Sequence, residues 1–235
     1  MKFLLQLPTL GRPQKLLDVL EKYSMLSSKE HLLIFNINCD KYDLSMNNDE
    51  IISNIHDIVD KYDHATANIH FDEDTNKIGA INSHIDGDFD ILICLSDDMV
   101  PKIEKWDDII AKNMDYFFPD TDGCLHFNDG NQGNKLITLS ILGRKLYEYF
   151  GYIYHPDYKS LYCDDEFTQE VYRLNKVQYI DKIIISHEHY SVEGSINYGD
   201  YDIAAYKTLH YSGRDGAVFK KRKELGFPRE RITND

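Results

Sequence analysis

Two adjacent aspartates, Asp97 and Asp98, follow an unbroken apolar run from Ile91 to Leu95, and Pro101 lies just beyond them. Such a run is typical of a strand that is buried on both faces of a parallel sheet. Ligands of open α/β sheets collect at the carboxyl ends of the strands, where a hard divalent cation relieves the repulsion between neighbouring carboxylates. The pair therefore indicates a metal site, although taken alone it is more often an acidic turn before a helix.

A second acidic cluster, formed by Asp164, Asp165 and Glu166, precedes apolar residues that recur at helical spacing. The dipole of a helix favours carboxylates in its first turn, so a structural role needs no chemistry. Three acids in a row exceed what a cap requires, so one of them is also a candidate general base.

Two histidines, His187 and His189, come at the end of a further apolar segment, which we predict to be a strand from Val177 to Ser186. A single histidine is more often structural than a ligand. In a chain that already offers Asp97 and Asp98, a histidine at a strand end gains weight as a third metal ligand. We expect the two imidazoles to face opposite sides, so that only one of them reaches a given metal.

The amino terminus combines a short apolar strand, Phe3 to Leu7, with the turn PTLGRP from Pro8 to Pro13 and a helix that starts at Pro13. A strand, a glycine-containing turn and a helix N-terminus recur where proteins hold phosphates or nucleotides, although one such turn is weak support. Asp40 follows the next apolar run and is a candidate to accept hydrogen bonds from a ribose or a base. A plain turn aspartate is the equal alternative.

Strands and helices alternate along the chain, which predicts a doubly wound, mostly parallel α/β sheet with helices on both faces. We predict strands, beyond those above, at His31 to Asn38, Ala65 to Phe71, Gly123 to Asn128 and Lys135 to Leu142, and helices around Ile51 to Lys61, Lys77 to Ile85, Trp106 to Ile110 and Arg144 to Phe150. We expect one catalytic domain over residues 1–205, with a nucleotide-binding half of about 1–100 and an acceptor half of about 101–205. Residues 206–235 are predicted to form a basic loop and tail.

Composition limits the function classes. The 235 residues carry a formal net charge of −14, which makes the body a poor candidate for loose nucleic-acid binding. The four scattered cysteines do not form a zinc motif, and reduced thiols in a cytoplasmic protein are the simplest interpretation. No apolar run approaches the length of a membrane span, so we expect a soluble protein. Arg214 lies in the glycine-containing segment HYSGRDG, which is either a solvated loop or a lid whose cation meets a diphosphate.

The order of these motifs resembles that of the GT-A-type, family-2-like glycosyltransferases, including small phage-type members, over nearly the whole chain. The segments that carry the resemblance are PTLGRP, Asp40, KIGAINSHI (Lys77 to Ile85), LSDDM (Leu95 to Met99), WDDI (Trp106 to Ile109), DDEF (Asp164 to Phe167) and HEHY (His187 to Tyr190). The usual acidic motif of that family has two acids with one residue between them. Here Ser96 takes the first place, and the two aspartates adjoin.

The resemblance implies a role for each motif. The nucleotide sugar would be bound by Pro8, Thr9, Gly11, Arg12, Asp40, Lys77, Asn82 and Asp97, with Arg214 added if its segment is a lid. A Mn²⁺ or Mg²⁺ ion would be held by Asp98, Asp97 and His189. The late acidic pair would supply the base, with Asp165 favoured as the second acid and Asp164 as the helix cap.

The sequence as a whole therefore predicts a metal-dependent, inverting glycosyltransferase. Its donor would be a nucleoside-diphosphate sugar, with a UDP-sugar favoured. The acceptor would be a saccharide, a protein or, as in phage enzymes, a hydroxymethylated DNA base, and the location would be the cytoplasm, or the host cytoplasm for a phage protein. Two other classes stay open, namely a nucleotidyltransferase and a sugar-nucleotide-binding protein without turnover.

Overall fold

A computed structural model describes residues 1–73, 76–189, 191 and 202–232 of the chain. Its strands are β1 (Lys2–Thr9), β2 (Leu32–Asp40), β3 (Ala65–Asp72), β4 (Ile91–Cys94), β5 (Met99–Pro101), β6 (Cys124–Phe127), β7 (Ser140–Gly143), β8 (Val177–Ile180) and β9 (Ile185–His187). Its helices are α1 (Pro13–Met25), α2 (Asp49–Val59), α3 (Lys77–Asn82), α4 (Trp106–Phe117), α5 (Arg144–Phe150), α6 (Cys163–Arg173), α7 (Ile203–His210) and α8 (Ser212–Glu224).

Seven of the strands form one central sheet in the order β3-β2-β1-β4-β7-β6-β8. Strands β3, β2, β1 and β4 run parallel to one another, whereas β7 runs antiparallel to both β4 and β6. Because β1, β2 and β4 are parallel, their carboxyl ends open onto one edge of the sheet. Strands β5 and β9 pair separately as a small antiparallel ribbon.

Helices cover both faces of the sheet. On one face, α1, α2 and α4 pack on alternate residues of β1, where Trp106 fills the space between Phe3 and Tyr23. The indole N–H of Trp106 donates to the backbone carbonyl of Tyr23 at 3.0 Å, so this buried aromatic group keeps its hydrogen bond. On the other face, α3, α5, α6 and α8 cover Leu4 and Leu92. The predicted fold class, a mostly parallel sheet between two helical layers, is confirmed.

The carboxyl-terminal segment differs from its predicted form. Residues 206–224 were expected to be a loop and tail, but they lie in α7 and α8. Helix α8 buries Val218, Asp215 and Arg222 against the body, and tertiary packing of this kind outweighs the two glycines in its first turns. The basic composition of residues 206–235 indicates a loop and tail, whereas the structure buries two charged residues of this segment, Asp215 and Arg222, in a helix.

Two strand predictions were also too long. The expected strand Val177 to Ser186 divides into β8, which pairs with β6, and β9, which pairs with β5. The expected strand Lys135 to Leu142 forms ladder contacts only from Ser140 onward. An apolar segment keeps its alternation through a bend, so the pattern predicts burial but not the point at which the chain changes sheet. In the part of the chain that is described, no helix has both the length and the apolar character of a transmembrane span.

The edge of the sheet near β3 carries a histidine pair that should make stability depend on pH. The rings of His70 and His84 stack with centroids 4.0 Å apart, and the pKa of His70 is lowered by burial and then by the charge of His84. A histidine with a lowered pKa binds its proton more weakly in the folded state than in the unfolded state. Stability should therefore be lost as pH falls below the ordinary histidine value of 6.5.

We expect the free energy of unfolding to be smaller at about pH 5.5 than at about pH 7.5, and we expect this difference to shrink in His70→Gln. Urea titrations of both proteins at the two pH values measure it. A difference that is just as large in the variant would contradict the role of His70.

Candidate active site

One cleft of about 670 Å³ lies at the carboxyl edge of β1, β2 and β4. Its volume falls within the range of small-molecule sites. Among the predicted site residues, those that line it are Pro8, Thr9, Arg12, Asp40, Lys77, Asp97, Asp98, Asp164 and His189. Gly11, Asn82, Asp165 and Arg214 are described but lie outside the lining. The fold thus brings most of the predicted residues from six separate segments into one place.

Arg12 connects two carboxylates at the end of the cleft beside β1. Its guanidinium donates to Asp97 Oδ1 at 3.0 Å and makes a two-bond contact with Asp202 at 2.5 and 2.8 Å. The hydroxyl of Thr9 donates to the other oxygen of Asp97, also at 3.0 Å. Burial raises the pKa of Asp97, the charge of Arg12 opposes this, and the charge of Asp98 adds to it. Both oxygens of Asp97 are therefore used to hold the turn after β1.

Asp98 faces a different group. A turn at 96–99 directs its carboxylate toward the hydroxyl of Ser96 and toward His187, whose Nε2 lies 3.4 Å from Asp98 Oδ1. Burial opposes ionisation, but the hydrogen bond and charge of His187, the hydrogen bond of Ser96 and the charge of Lys77 outweigh it and hold the pKa of Asp98 below its usual range. Asp98 is thus an ionised carboxylate next to an imidazole nitrogen.

The pairing of β5 with β9 explains why His187 reaches Asp98. Met99 and His187 are direct partners in this ribbon, and the backbone N–H of Glu188 donates to the carbonyl of Asp98 at 2.7 Å. Residues two apart in an extended segment share a face, so His187 and His189 point the same way. Both line the cleft, with ring centroids 5.2 Å apart. The expectation that the two imidazoles face opposite sides was therefore wrong, and the expectation that only one of them reaches a metal stays a prediction.

His189 contacts the ring of His187 and the hydroxyl of Ser191. Its Nδ1 is 2.7 Å from the hydroxyl of Ser191, and burial followed by the charge of His187 lowers the pKa of His189 to about 4. At neutral pH it is therefore an uncharged imidazole. The role predicted for it as a metal ligand stays a prediction, and the contact with Asp98 makes His187 the nearer candidate.

The two histidines can be ranked by mutation. Because His187 contacts Asp98 directly, His187→Ala should reduce metal-stimulated turnover by at least about tenfold, and His189→Ala should reduce it less. Turnover at a series of Mn²⁺ concentrations measures both effects. The opposite ranking would restore His189 as the ligand, and equal small losses would make both histidines structural.

The residues at the cleft fit a hard divalent cation. Within the described ranges, no group of three or more histidine, cysteine or acidic side chains is arranged to hold a metal. Mg²⁺ and Mn²⁺ sites that handle phosphates often use only one or two protein ligands, and the substrate phosphates and water supply the rest. The carboxylate of Asp98 and the imidazole of His187 match such a partial site.

Asp40 and the turn around Gly11 lie at the end of the cleft beside β1 and β2. Lys207 of α7 places its Nζ 3.6 Å from Asp40 Oδ2. Gly11 has a positive φ of 68°, and a β-carbon there would lie 3.0 Å from Ile203. Helix α7 therefore lies closely over this end, and the glycine permits that approach. Gly11 shapes the turn rather than the wall of the cleft.

The late acidic cluster is placed differently from the prediction. Asp164 lines the cleft, whereas Asp165, the residue favoured as base, lies outside the lining. Helix α6 begins after Tyr162, a residue in the left-handed conformation, and Asp164 does not serve as its cap. Burial raises the pKa of Asp164 against the opposing charge of Lys77, and burial and the charge of Asp164 raise the pKa of Asp165. The geometry favours Asp164.

Three other predicted residues have distinct positions. Lys77 begins α3 and lines the cleft, where its charge affects Asp98 and Asp164. The side chain of Asn82 is instead bonded to the backbone of 153–154, with its Nδ2 donating to a carbonyl at 2.6 Å. Arg214 lies in α8 and donates to the carbonyl of Asp157 at 2.8 Å. The segment of Arg214 is a helix rather than a loop.

Several cleft residues carried no signal in the sequence. Lys159 lies in an irregular segment before α6, and Lys207 lies in a helix that had been predicted as a loop. Neither belongs to a motif with regular spacing. A basic residue that follows a turn is common on any surface, so only the folded chain distinguishes these two lysines.

No protein-family model and no curated protein matches this chain. Solved structures do. It superposes on S. aureus TarS with a TM-score of 0.54 and 14% identity, over 79% of this chain and 36% of that one. For TarS residues 1–349 the values are 0.59 and 15%, over 93% and 74%. For the mannosyltransferase PcManGT of Pyrobaculum calidifontis, in complex with GDP-Man and Mn²⁺, they are 0.54 and 14%, over 77% and 54%.

The chain has a GT-A-like fold. At 14–15% identity these similarities establish the architecture alone. This chain also spans about a third of the longer TarS structure and about half of the mannosyltransferase. The family-2 and phage-type parts of the resemblance stay predictions.

Proposed function

We propose that the chain is a metal-dependent, inverting glycosyltransferase that moves a sugar from a nucleoside-diphosphate donor to an acceptor hydroxyl. One observation carries this proposal. A single cleft is lined by the guanidinium of Arg12, by an ionised Asp98 beside His187, and by a second carboxylate, Asp164. Fold and chemistry agree, because the similar mannosyltransferase structure contains GDP-Man and Mn²⁺.

The donor end has the charges that a diphosphate requires. Arg12 and Lys77 are both in the wall, and a guanidinium can bind two phosphate oxygens at once. Asp97 and Thr9 hold Arg12 and the turn after β1 in place. Asp98 and His187 would hold the divalent cation, which neutralises the charge that develops on the leaving diphosphate.

Asp164 is the proposed base. The acceptor hydroxyl loses its proton to this carboxylate as its oxygen attacks the anomeric carbon. The bond to the diphosphate oxygen breaks in the same step, and the diphosphate leaves with the electron pair. A single displacement of this kind inverts the configuration at the anomeric carbon. The raised pKa of Asp164 suits a group that must take up a proton near neutral pH.

The donor base and the acceptor are proposals of the same kind. A UDP-sugar is favoured, with Asp40 accepting from the base or ribose, although the similar mannosyltransferase contains a guanosine nucleotide. The acceptor is a saccharide or a modified DNA base. For a DNA acceptor, the exposed lysines of α8, at 220, 221 and 223, would provide the positive surface. A division into nucleotide-binding and acceptor halves near residue 100 and a cytoplasmic location belong to this proposal.

The experiment that tests the proposal compares donors. The protein is incubated with a panel of UDP- and GDP-sugars, with Mn²⁺ or with EDTA, and release of the nucleoside diphosphate is measured. Thermal-shift measurements with the same nucleotides report binding without turnover. We expect one nucleoside diphosphate to raise the melting temperature, and we expect Mn²⁺ to be needed for release. Binding without release indicates a non-catalytic binding protein, pyrophosphate release from nucleoside triphosphates indicates a nucleotidyltransferase, and neither binding nor release contradicts a nucleotide site.

A further inference from the structure

Helix α8 supports the segment that carries the proposed base. This segment, residues 157–166, runs along the wall of the cleft and ends in the first turn of α6. Two fully buried residues of helix α8, Asp215 and Arg222, contact this segment. Asp215 contacts residues before Asp164, whereas Arg222 contacts residues on both sides of it.

Asp215 holds the backbone before Asp164. Its carboxylate accepts from the backbone N–H groups of Lys159 at 3.1 Å, Ser160 at 2.7 Å and Leu161 at 2.9 Å. All three of these residues line the cleft. Three amide donors on one buried carboxylate are charge-assisted hydrogen bonds, which are roughly twice as strong as neutral ones. The irregular wall of the cleft therefore has a specific anchor outside the site.

Arg222 binds two carboxylates of the segment, one after Asp164 and one before it. Its guanidinium donates to both oxygens of Glu166 at 2.8 and 2.9 Å and to Asp157 Oδ2 at 2.7 Å. The hydroxyl of Tyr158 donates to the same Glu166 at 2.7 Å. A buried, two-bond pair between an arginine and a carboxylate allows little freedom of orientation. Glu166 is only two residues from Asp164 on the same helical turn.

The anchored segment also connects to the donor side of the cleft. The carbonyl of Lys159 accepts from the backbone N–H of Ile78 in α3 at 3.3 Å, and the preceding residue of that helix is Lys77. Asp215 therefore holds a stretch of chain that lies between the proposed diphosphate-binding lysine and the proposed base. The first turn of an isolated helix gains stability from any acid, but it does not require one that bonds to a different segment.

We propose that Asp215 is a positioning residue, which fixes the location of Asp164 relative to the donor by holding the backbone of residues 159–161. The inference rests on the proposed role of Asp164. Arg222 acts from the other side through Glu166. Neither side chain touches the substrate, so their removal changes the geometry of transfer rather than the affinity for the donor.

Hydrogen exchange tests the positioning without any substrate. In Asp215→Asn the side chain loses its charge and presents an amide to at least one of the three N–H groups. We expect the amides of residues 159–161 and of residues 163–165 to exchange at least about tenfold faster than in the wild type. The matched control is Arg173→Gln, which breaks the Arg173–Glu170 pair at the other end of α6 and should leave both stretches unchanged. Faster exchange confined to 159–161 would overturn the proposal.

Kinetics provide the second readout. With the donor that the wild type uses, Asp215→Asn should lower kcat by at least about tenfold and leave the donor dissociation constant within about twofold. Arg173→Gln should keep both values. A kcat equal to that of the wild type would overturn the proposal for Asp215. A wild type that transfers no sugar would instead contradict the proposed function, and the hydrogen-exchange result would still decide whether Asp215 positions this segment.

If Asp215→Asn does not fold, a milder substitution at Glu166 tests the support from α8. Glu166→Gln keeps the size of the side chain and one acceptor oxygen for Arg222 and Tyr158, and it removes the charge and the second acceptor oxygen. It should speed exchange at residues 163–165 at a melting temperature close to that of Arg173→Gln. Unchanged exchange at those residues in a folded variant would contradict the support from α8.

Discussion

Asp164→Asn should lower turnover by roughly 10² to 10⁴-fold, the usual contribution of a positioned general base, while the donor dissociation constant stays nearly the same. The carboxylate lines the same cleft as Asp98, and it is needed only when the acceptor hydroxyl loses its proton. An asparagine preserves the shape of the side chain but cannot take up that proton. Single-turnover rates and donor titrations of the same preparation separate the two effects.

The adjacent carboxylate provides the matched control. Asp165 belongs to the same helical turn but lies outside the lining of the cleft, so Asp165→Asn should change turnover by less than about threefold. If turnover collapses in Asp165→Asn and survives in Asp164→Asn, the original assignment of the base is restored. Intact turnover in both variants would remove the base from α6.

The pH profile gives an independent check on the same residue. A base is inactive when protonated, so kcat should fall as pH drops through its pKa. Because burial raises the pKa of Asp164, this acidic limb should lie above the ordinary aspartate value of 3.8. A limb at or below that value would mean that a more exposed acid accepts the proton.

Asp98→Asn should abolish the stimulation of turnover by Mn²⁺ or Mg²⁺ and reduce turnover by roughly 10²-fold or more, since a cation on a leaving diphosphate stabilises the transition state by several kcal/mol. Asp98 is the ionised carboxylate next to His187, whose Nε2 lies 3.4 Å from Asp98 Oδ1. Calorimetric titration of the donor with Mn²⁺ and with EDTA measures the effect on binding.

The control for Asp98 is Asp88→Asn, which removes a largely exposed aspartate paired with Lys2, outside the lining of the cleft. It should leave donor binding and metal stimulation as they are. Equal donor affinity of the wild type with Mn²⁺ and with excess EDTA would contradict a metal-assisted site. Loss of folding in Asp98→Asn, seen as a fall in melting temperature, would show that the carboxylate is needed for the turn at 96–99.

The amino-acid sequence alone was sufficient to predict the central sheet and the edge of that sheet on which the cleft lies. The apolar runs at Phe3 to Leu7, His31 to Asn38 and Ile91 to Leu95 became β1, β2 and β4, which are the parallel strands at the centre. Burial on both faces favours apolar residues at most positions, with buried Gln6 and Asn36 as exceptions, so a local pattern is sufficient to identify such strands. The polar residues after each run then fall at one edge because the strands are parallel.

Which residue of each motif faces the cleft could be read only from the folded chain, because it depends on long-range contacts. Adjacent residues of a helix differ by about 100° in direction, so the choice between Asp164 and Asp165 depends on where α6 begins, and Tyr162 in its left-handed conformation sets that point. His187 reaches Asp98 because β9 pairs with β5, a contact between segments about 90 residues apart. Helix α8 forms because Asp215 and Arg222 find buried partners far away in the chain. Local patterns determine which segments are buried, whereas the direction of a side chain at the cleft depends on contacts that a single segment does not contain.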